Sequence, residues 1–534
     1  MTLSYDIRVR CGQRTEAING SFALQPGANH IAVELPEGVI ERMTARLARR
    51  TDAREKIFMN GFQSWTYCPE YGKNDKIHGL ERLPRLLVRL LGLDRYGDYY
   101  FTDYPHAPGK THGESWCYFR RGERFELLAS LDERPGYTLF AYDAASGALS
   151  LTRDCEGLAC GGVFHAFDLF WAEGNEDEVF DGWFASLGVK PRTQERLCGY
   201  SSWYNRYQNI SEQSIREDLA GCAALLQPGD LFQIDDGYEP AVGDWLEPDA
   251  KKFPGGMKKL ADEIHAKGFR AGLWLAPFVA QKGSRLVSEH PDWLLQKDGK
   301  PWYCGCNWGG FYALDIDRPG VRDYLTRVFR RVLDEWGFDL VKLDFLYGAA
   351  PFGSERESRA GRMYRAMAWL RELCGDKRIL GCGVPLMPAF GLVDYCRIGC
   401  DVGLDWDDKP WMRNIHRERV STRQSIGNTV FRRQLNGRAW LNDPDVFFLR
   451  EDNIKLSPRE KEALYTVNAL LGGVLLCSDN MARYGEAARE QYHRLLRLRE
   501  AEQIRVHADK GLALSYRLDG TDYHFVIDGS GRER

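Results

Sequence analysis

The chain of 534 residues is longer than one hydrophobic core usually supports, so two or three domains are expected. Hydrophobic residues make up 44% and charged residues 28% of it, which is typical of a globular protein and excludes a disordered or fibrous one. The formal net charge of -4, without long runs of one sign, argues against nucleic acid as a partner.

The cellular location is predicted from the amino-terminal residues and the cysteines. The first residues lack the charged and apolar regions of a signal peptide, and no apolar stretch is long enough to cross a bilayer. The 14 cysteines do not suggest a disulfide scaffold in a chain of this length, and none of their close spacings matches a structural zinc site. We therefore expect a cytoplasmic protein with reduced cysteines and no membrane partner.

Residues 1–190 have the pattern of an all-β region. Short alternating segments, such as 30–35 and 125–130, are separated by turn residues. This pattern favours a β-sandwich domain over residues 1–190. The polar, proline-containing stretch 190–196 predicts the boundary to the next domain.

From residue 197 onwards, strand patterns alternate with helical patterns. A helix is clearest over 321–336, where apolar residues recur at positions i, i+3, i+4 and i+7, and another is expected over 257–265. Strands are predicted at 199–204, 231–235, 270–276, 340–344, 378–383, 395–400, 439–442 and 473–477.

These alternating units over residues 197–485 predict a (β/α)8 TIM barrel. The alternative is an open doubly wound sheet, but no G-x-G-x-x-G sequence follows any of the strands. Residues 486–534 carry two more strand patterns, at 512–516 and 523–527, and are expected to form a small β domain.

Acidic residues follow several predicted strands, at the ends where barrel enzymes carry their active sites. One strand ends in Lys342-Leu343-Asp344, and residues two apart face the same side, so the lysine and the carboxylate are expected to point inward together. A nearby positive charge lowers the pKa of a carboxylate, which suits a nucleophile and is unusual for a helix cap. An aspartate after a strand is also a common helix cap or turn residue, so each of the other acids has this second interpretation. Asp443, which precedes Pro444, fits it best.

Converging carboxylates serve two reaction classes. A metal-dependent hydrolase needs histidines or several acids as ligands, and the strand ends supply no histidine. Glycoside hydrolysis needs one carboxylate and one carboxylic acid at the anomeric carbon. The residues favour glycoside hydrolysis, but their spacing does not assign the two roles among the acids.

Many segments between about residues 59 and 480 match one family in order. They are Asn60-Gly-Phe-Gln-Ser-Trp65, Ser202-Trp203-Tyr204, Phe232-Gln-Ile-Asp-Asp-Gly-Tyr238, Gly243-Asp-Trp245, Gly272-Leu-Trp-Leu-Ala-Pro277, His290-Pro-Asp-Trp293, Ala313-Leu-Asp315, Val341-Lys-Leu-Asp-Phe345, Leu380-Gly-Cys-Gly383, Arg397-Ile-Gly-Cys-Asp401 and Trp440-Leu-Asn-Asp-Pro-Asp445. Together they resemble glycoside hydrolase family 36, the α-galactosidases, and more distantly family 27. The resemblance is strongest to compact bacterial members built from a β-sandwich, a barrel and a small β domain.

The resemblance implies a role for each matching residue. Asp344 corresponds to the catalytic nucleophile and Asp401 to the general acid/base. Residues implied in substrate binding are Trp65, Trp203, Asp235, Asp236, Trp274, Lys342, Cys382 and Arg397.

Several of these binding roles are specific. The pair of aspartates resembles the one that binds the galactose 4- and 6-hydroxyls, and Trp274 resembles the platform on which the sugar packs. Lys342 resembles a hydroxyl-binding lysine, whereas Cys382 and Arg397 occupy positions near the 2-hydroxyl. Trp65 resembles a residue that reaches in from the β-sandwich.

The implied activity is that of a retaining exo-α-galactosidase, which acts by double displacement on oligosaccharides of the raffinose or melibiose type. No metal or organic cofactor is implied, the expected partner is the small-molecule oligosaccharide, and a homo-oligomer stays open. The alternatives are an α-N-acetylgalactosaminidase and a non-catalytic sugar-binding protein. Cys400, Val384 and the acidic segment Asp405–Asp408 depart from the family pattern and put the outer subsites in question.

Overall fold

The computed structural model describes residues 1–81, 83–407, 416–509 and 511–527. Its amino-terminal part is antiparallel β structure, its middle part alternates strands and helices around a parallel sheet, and its carboxy-terminal part is a small antiparallel sheet. The amino-terminal strands are Thr2–Cys11, Arg14–Ala23, Gly27–Ala48, Lys56–Met59, Glu70–Tyr71, Lys110–Glu114, Trp116–Arg121, Arg124–Ser130, Tyr137–Asp143, Ala148–Asp154 and Ala159–Gly174.

The amino-terminal sheet folds back on itself. The long strand Gly27–Ala48 pairs through its first half with residues 159–171 and through its second half with residues 3–10. Phe119 and Tyr142 are separated by four strands in the sheet order, yet their ring centroids lie 5.0 Å apart. Two parts of the sheet therefore pack face to face around a hydrophobic core, which is the layered arrangement of the predicted β-sandwich.

The middle sheet is parallel and closes into a barrel. Leu441–Asp443 pairs at one end of the strand order and Val446–Phe447 at the other, and these two short strands belong to one stretch of chain. In sheet order the strands are Leu441–Asp443, Tyr395–Arg397, Arg378–Gly381, Leu340–Leu343, Arg270–Leu275, Leu231–Ile234, Leu197–Ser201, Val474–Cys477 and Val446–Phe447. With helices between them, these strands confirm the predicted (β/α)8 fold.

The helices cover the outside of the barrel and flank the sheets. In the described ranges they are Arg85–Leu91, Glu176–Leu187, Trp203–Arg206, Glu212–Cys222, Met257–Ala266, Arg285–Glu289, Pro319–Arg330, Arg359–Cys374, Thr422–Phe431, Pro458–Leu471 and Glu486–Leu498. The helix predicted over 321–336 begins at Pro319, because proline suits the first helical turn. It ends in a π-helical turn over Arg331–Glu335.

Two further groups of strands complete the described structure. After the strand Arg270–Leu275, the chain leaves the barrel in an excursion with the strands Val279–Gln281, Gln296–Lys297, Lys300–Pro301, Tyr303–Gly305 and Phe311–Ala313. The carboxy-terminal sheet consists of Glu502–His507, Leu512–Leu518 and Thr521–Ile527 and includes the two predicted strands. The helix Glu486–Leu498 precedes it, within the range expected to form the small β domain. Within the described ranges, no helix combines the length and the apolar character that crossing a membrane requires.

Arg432 joins the barrel to the amino-terminal sheet. Its side chain is fully buried. The guanidinium donates to Asn60 Oδ1 at 2.9 Å and to the Ser64 carbonyl at 2.7 Å, both on the amino-terminal part, and to the Ile398 carbonyl of the barrel at 3.0 Å. These bonds hold the segment that carries Trp65 against the carboxyl ends of the barrel strands.

Candidate active site

A cavity of about 270 Å³ lies at the carboxyl ends of the barrel strands. Barrel enzymes bind their substrates at this end. Eight of the ten predicted site residues line the cavity, namely Trp65, Trp203, Asp235, Asp236, Trp274, Lys342, Asp344 and Asp401. Cys382 and Arg397 are both buried and lie just behind the wall, in contact with residues that line it.

Asp344 follows directly after the strand Leu340–Leu343 and is 7% exposed. Each of its carboxylate oxygens accepts a hydrogen bond, from the Trp274 indole at 3.1 Å and from the Phe345 amide at 2.8 Å. Phe345 has a φ of 52°, an unusual conformation for a bulky residue, and strain of this kind concentrates at functional sites. The carboxylate is thus held in one orientation toward the cavity.

The pKa of Asp344 is raised above its ordinary value. Burial is the largest cause, while the positive charge of Lys342 acts in the opposite direction. The expectation that the lysine keeps this pKa low is therefore wrong, because removal of the carboxyl from water outweighs the attraction. Lys342 and Asp344 do line the same cavity, as the two-residue spacing predicts.

Lys342 forms its ion pair with Asp235, and the Nζ to Oδ2 distance is 3.0 Å. Asp235 also accepts a hydrogen bond from Gln233 Nε2 at 2.7 Å. Burial, the largest single influence, lowers the pKa of Lys342, but the neighbouring carboxylates of Asp235 and Asp344 together with Cys382 raise it above its ordinary value, so the ammonium stays charged. This buried pair presents both a donor and an acceptor to the cavity, which suits the hydroxyl groups of a sugar.

Asp236 lies just after the strand Leu231–Ile234 and accepts hydrogen bonds from two side chains elsewhere in the chain. The Trp308 indole and the Gln208 amide both donate to its Oδ2, each at 2.9 Å. Its Oδ1 is buried without a hydrogen-bond partner, and such an atom is a candidate to receive a ligand hydroxyl. Next to it, burial and the charge of Asp236 raise the pKa of Glu239 well above its ordinary value.

Asp401 is the most open of the acidic residues at the site, with 37% of its side chain exposed. Its Oδ1 accepts a hydrogen bond from Arg397 Nη1 at 2.8 Å. Arg397 also contacts Asp443 and Asp445, both of which are fully buried. Asp443 is therefore more than the helix cap or turn residue that its position before Pro444 favours.

Trp65 reaches the cavity from the amino-terminal part. Its indole donates a hydrogen bond to the Cys382 sulfur at 3.3 Å. Its ring packs edge-on against the Phe345 ring, with the ring centroids 5.0 Å apart. Gly383 has a φ of 57°, and a Cβ there would lie 2.9 Å from the Trp65 ring, so only glycine allows this approach. Burial raises the pKa of the Cys382 thiol well above its ordinary value, which keeps it neutral.

Sequence patterns did not single out several other residues of the cavity wall. Trp308 has a φ of 54° in an irregular turn, so periodicity gives no signal for it. Leu93 and Tyr96 come from the amino-terminal part, whereas His416, Glu418, Arg419 and Val420 follow the barrel strand that ends at Arg397. Of the acidic segment Asp405–Asp408, the last residue lies outside the described residues.

Asp479, another acid that follows a barrel strand, has a structural role. It is fully buried and accepts hydrogen bonds from the Leu449 and Arg450 amides and from the Tyr484 hydroxyl. All 14 cysteines are free thiols. Among the residues that the structure describes, no group of three or more His, Cys, Asp or Glu side chains is arranged to hold a metal ion.

Comparison with known proteins identifies relatives of this chain. The family model described as Melibiase matches residues 192–373. The α-galactosidase Mel36A of Lactobacillus acidophilus is 34% identical over 165 residues, which cover 29% of this chain and 21% of that protein. The α-galactosidase AgaA of Geobacillus stearothermophilus is 29% identical over 185 residues, which cover 32% and 25%. These matches span about a fifth to a quarter of the curated relatives' length.

Solved structures extend the similarity to nearly the whole chain. The α-galactosidase of Thermus thermophilus, solved with p-nitrophenyl α-D-galactopyranoside, superposes with a TM-score of 0.73 at 28% identity and covers 97% of this chain and 98% of that one. The family 36 α-galactosidase of G. stearothermophilus superposes with a TM-score of 0.60 at 14% identity, over 95% and 71% of the two chains, and shows the shared fold.

The fold and the carboxylate-lined cavity define a barrel protein of the kind found among glycoside hydrolases. Residues 192–373 match the Melibiase family model, and the whole fold is similar to that of α-galactosidases, one of which is a family 36 enzyme.

Proposed function

We propose that this protein is a retaining α-galactosidase that removes terminal α-linked galactose from oligosaccharides. The observation that carries the proposal is the joint placement of Asp344, Asp401 and the Asp235–Lys342 pair around one cavity. The similar Thermus enzyme was solved with stachyose as well as with an aryl α-galactoside, and the Geobacillus enzyme with raffinose.

Asp344 acts as the nucleophile. The hydrogen bonds from Trp274 and Phe345 fix its carboxylate, so little reorganisation is needed when it attacks the anomeric carbon. The C1–O bond to the leaving group breaks as the bond from C1 to the carboxylate forms. The product of this step is a β-glycosyl ester of Asp344.

Asp401 acts as the general acid and then as the general base. Its side chain is 37% exposed, whereas Asp344 is 7% exposed, so Asp401 can reach both a departing alcohol and an entering water. It protonates the glycosidic oxygen in the first step. In the second step it takes a proton from the water that attacks the glycosyl ester, and the α configuration is restored.

The other predicted residues bind the sugar. The Asp235–Lys342 pair and the free oxygen of Asp236 supply acceptors and a donor for the hydroxyls farthest from the anomeric carbon. Trp274 gives a flat apolar face, and Trp203 and Trp65 complete the wall. A galactose ring, with a polar edge and an apolar face, fits this combination.

An α-N-acetylgalactosaminidase is the second candidate, and the surroundings of C2 argue against it. Cys382 is 1% exposed and accepts a hydrogen bond from the Trp65 indole, and Arg397 is 3% exposed and forms ion pairs with three acidic side chains. An acetamido group would need room that these packed side chains occupy.

We also propose how the chain divides this work. Residues 1–190 form the sandwich that supplies Trp65, residues 197–485 the catalytic barrel and residues 486–534 the small β domain. A cytoplasmic location is proposed from the sequence, and the free thiols are compatible with a reducing compartment. A homo-oligomer is compatible with this division.

A panel of nitrophenyl glycosides tests the activity. We expect hydrolysis of the α-galactoside with kcat/KM at least about 100-fold above that for the α-N-acetylgalactosaminide and the α-glucoside. Asp344→Ala should lower kcat by at least about 10³-fold, because the attacking atom is lost, whereas Asp262→Ala, on an exposed helix surface, should have no effect. Equal activity on the acetamido sugar, or no hydrolysis of any α-galactoside, would contradict the proposal.

A further inference from the structure

One arginine serves three carboxyl groups beside the cavity. Arg397 Nη1 lies 2.8 Å from Asp401, its Nε lies 3.2 Å from Asp443, and its Nη2 lies 2.8 Å from Asp445. The arginine, Asp443 and Asp445 are at most 3% exposed, so water does little to screen these charges. The group contains one positive charge and up to three negative charges.

Asp445 is connected to Asp401 by two routes. The first is the side chain of Arg397, which forms an ion pair with each of them. The second is the backbone, because Asp445 Oδ2 accepts from the amide of Val402, the residue after Asp401, at 2.8 Å. The same oxygen accepts from the Tyr204 hydroxyl at 2.6 Å, which fixes the carboxyl group.

The backbone of Asp445 is specialised for this position. It follows Pro444 at the break between the strands Leu441–Asp443 and Val446–Phe447, and its φ is 76°. A residue with a side chain is uncommon at such a φ, and the strain is tolerated where surrounding contacts fix it. The break in the barrel strand thus turns the Asp445 side chain toward the arginine.

The pairing of Asp401 with Arg397 creates a problem for the proposed reaction. A positive charge in direct contact favours the ionised form of a carboxyl group, whereas the first step requires Asp401 to carry a proton. Negative charge on the far side of Arg397 would remove this conflict, because it offsets the charge that Asp401 experiences.

We propose that Asp445 is a positioning residue for the acid/base: it holds Arg397 and the backbone after Asp401, and its negative charge allows Asp401 to keep the proton that it donates. This inference rests on the proposed function. It identifies a residue that determines how the activity depends on pH. Asp445 itself does not line the cavity.

The surroundings of Asp445 set the pH range in which its side chain is charged. Burial raises its pKa to about 7, with the carboxylates of Asp401 and Asp443 acting in the same direction and the guanidinium of Arg397 acting against them. Asp445 therefore carries its full negative charge above about pH 7. The titratable and charged groups around Asp445 are Arg397, Asp401, Asp443, Tyr204, Tyr207 and Cys400.

The test is the pH dependence of Asp445→Asn, which keeps the size of the side chain and removes its charge. With raffinose, whose leaving group needs a proton, we expect the basic limb of kcat/KM to move to lower pH by at least about one unit, with about a tenfold loss at pH 7. With an aryl α-galactoside whose leaving group is acidic, the loss should be much smaller.

Other outcomes separate this inference from the proposed function. A folded Asp445→Asn enzyme with an unmoved basic limb would overturn the role of Asp445, while the aryl substrate would still report α-galactosidase activity. If Asp445→Asn does not fold, Asp443→Asn removes a charge from the same arginine without touching the Val402 amide, and its basic limb should move in the same direction. An unchanged basic limb in Asp443→Asn would contradict the proposed role of Asp445 equally.

Discussion

At the scale of single residues, Asp344 combines a buried carboxyl with one hydrogen bond on each oxygen. Burial raises its pKa above the ordinary value of 3.8. Because the nucleophile must be ionised to attack, kcat/KM should fall as pH decreases through this raised pKa. The acid limb of the profile with an aryl α-galactoside is therefore expected clearly above pH 3.8. An acid limb at or below that value would contradict the assignment.

The role of Asp401 predicts a dependence on the leaving group. Asp401→Ala should lower kcat/KM for raffinose by about 10²–10⁴-fold, because the departing sugar hydroxyl needs a proton. For an aryl α-galactoside with an acidic phenol, attack by Asp344 should be nearly preserved and the glycosyl ester should accumulate. The measurement is kcat/KM for both substrates together with the pre-steady-state burst. An equal loss on both would show that Asp401 does not transfer the proton.

How far the sequence predicts these residues depends on the kind of contact. The two-residue spacing of Lys342 and Asp344 correctly places both at the cavity, because strand geometry alone decides it. The partner of the lysine is Asp235, which follows a different strand and lies 107 positions earlier, and spacing cannot reveal a contact of that range. The spacing also does not predict that the pKa of Asp344 is raised, because the burial that raises it depends on the whole fold.

At the scale of elements, the excursion after the third barrel strand supplies a side chain to the sugar site. The Trp308 indole donates to Asp236 at 2.9 Å. Trp308→Phe keeps an aromatic ring but removes this bond to a charged acceptor, which costs about 1.5–3 kcal/mol. We expect kcat/KM for aryl α-galactoside to fall by at least about tenfold, whereas Trp293→Phe, on the outer side of the same excursion, should stay within about twofold. Near-normal kcat/KM in Trp308→Phe would remove this residue from the sugar site.

Most elements follow from local patterns, and the exceptions have a physical cause. The strand predicted over 439–442 is found as Leu441–Asp443 and resumes as Val446–Phe447. Pro444 has no amide hydrogen and Asp445 has a positive φ. The backbone hydrogen bonds of the sheet are therefore interrupted between these two strands. The alternation pattern could place the seventh strand but could not show that its break orients a charged residue toward the acid/base.

At the scale of the whole molecule, the site is completed by two parts of the chain. Trp65 and Tyr96 come from the amino-terminal part and line the cavity together with the barrel residues. The resemblance to family 36 implies this contact for Trp65. The contact of Arg432 with Asn60 and Ser64 could not be predicted, because it joins positions about 370 residues apart.

The buried arginine predicts a stability effect. Arg432→Met fills a similar volume but leaves the Asn60 side chain and the Ser64 and Ile398 carbonyls without their donor. The free energy of unfolding should fall by about 3 kcal/mol or more, because buried acceptors lose their partners. Urea denaturation of the full chain measures this, with Arg330→Ala, which is exposed, as the control. A loss below about 1 kcal/mol would mean that the two parts do not depend on this contact.

The central claim is that Asp344 forms a glycosyl ester during turnover, and trapping that ester tests it most directly. A 5-fluoro galactosyl fluoride slows the second step more than the first, so the intermediate accumulates. Intact-mass and peptide analysis should find one sugar per chain on the peptide that contains Asp344, and none in Asp344→Ala. A label on any other residue, or rapid turnover with inverted product and no label, would contradict the account.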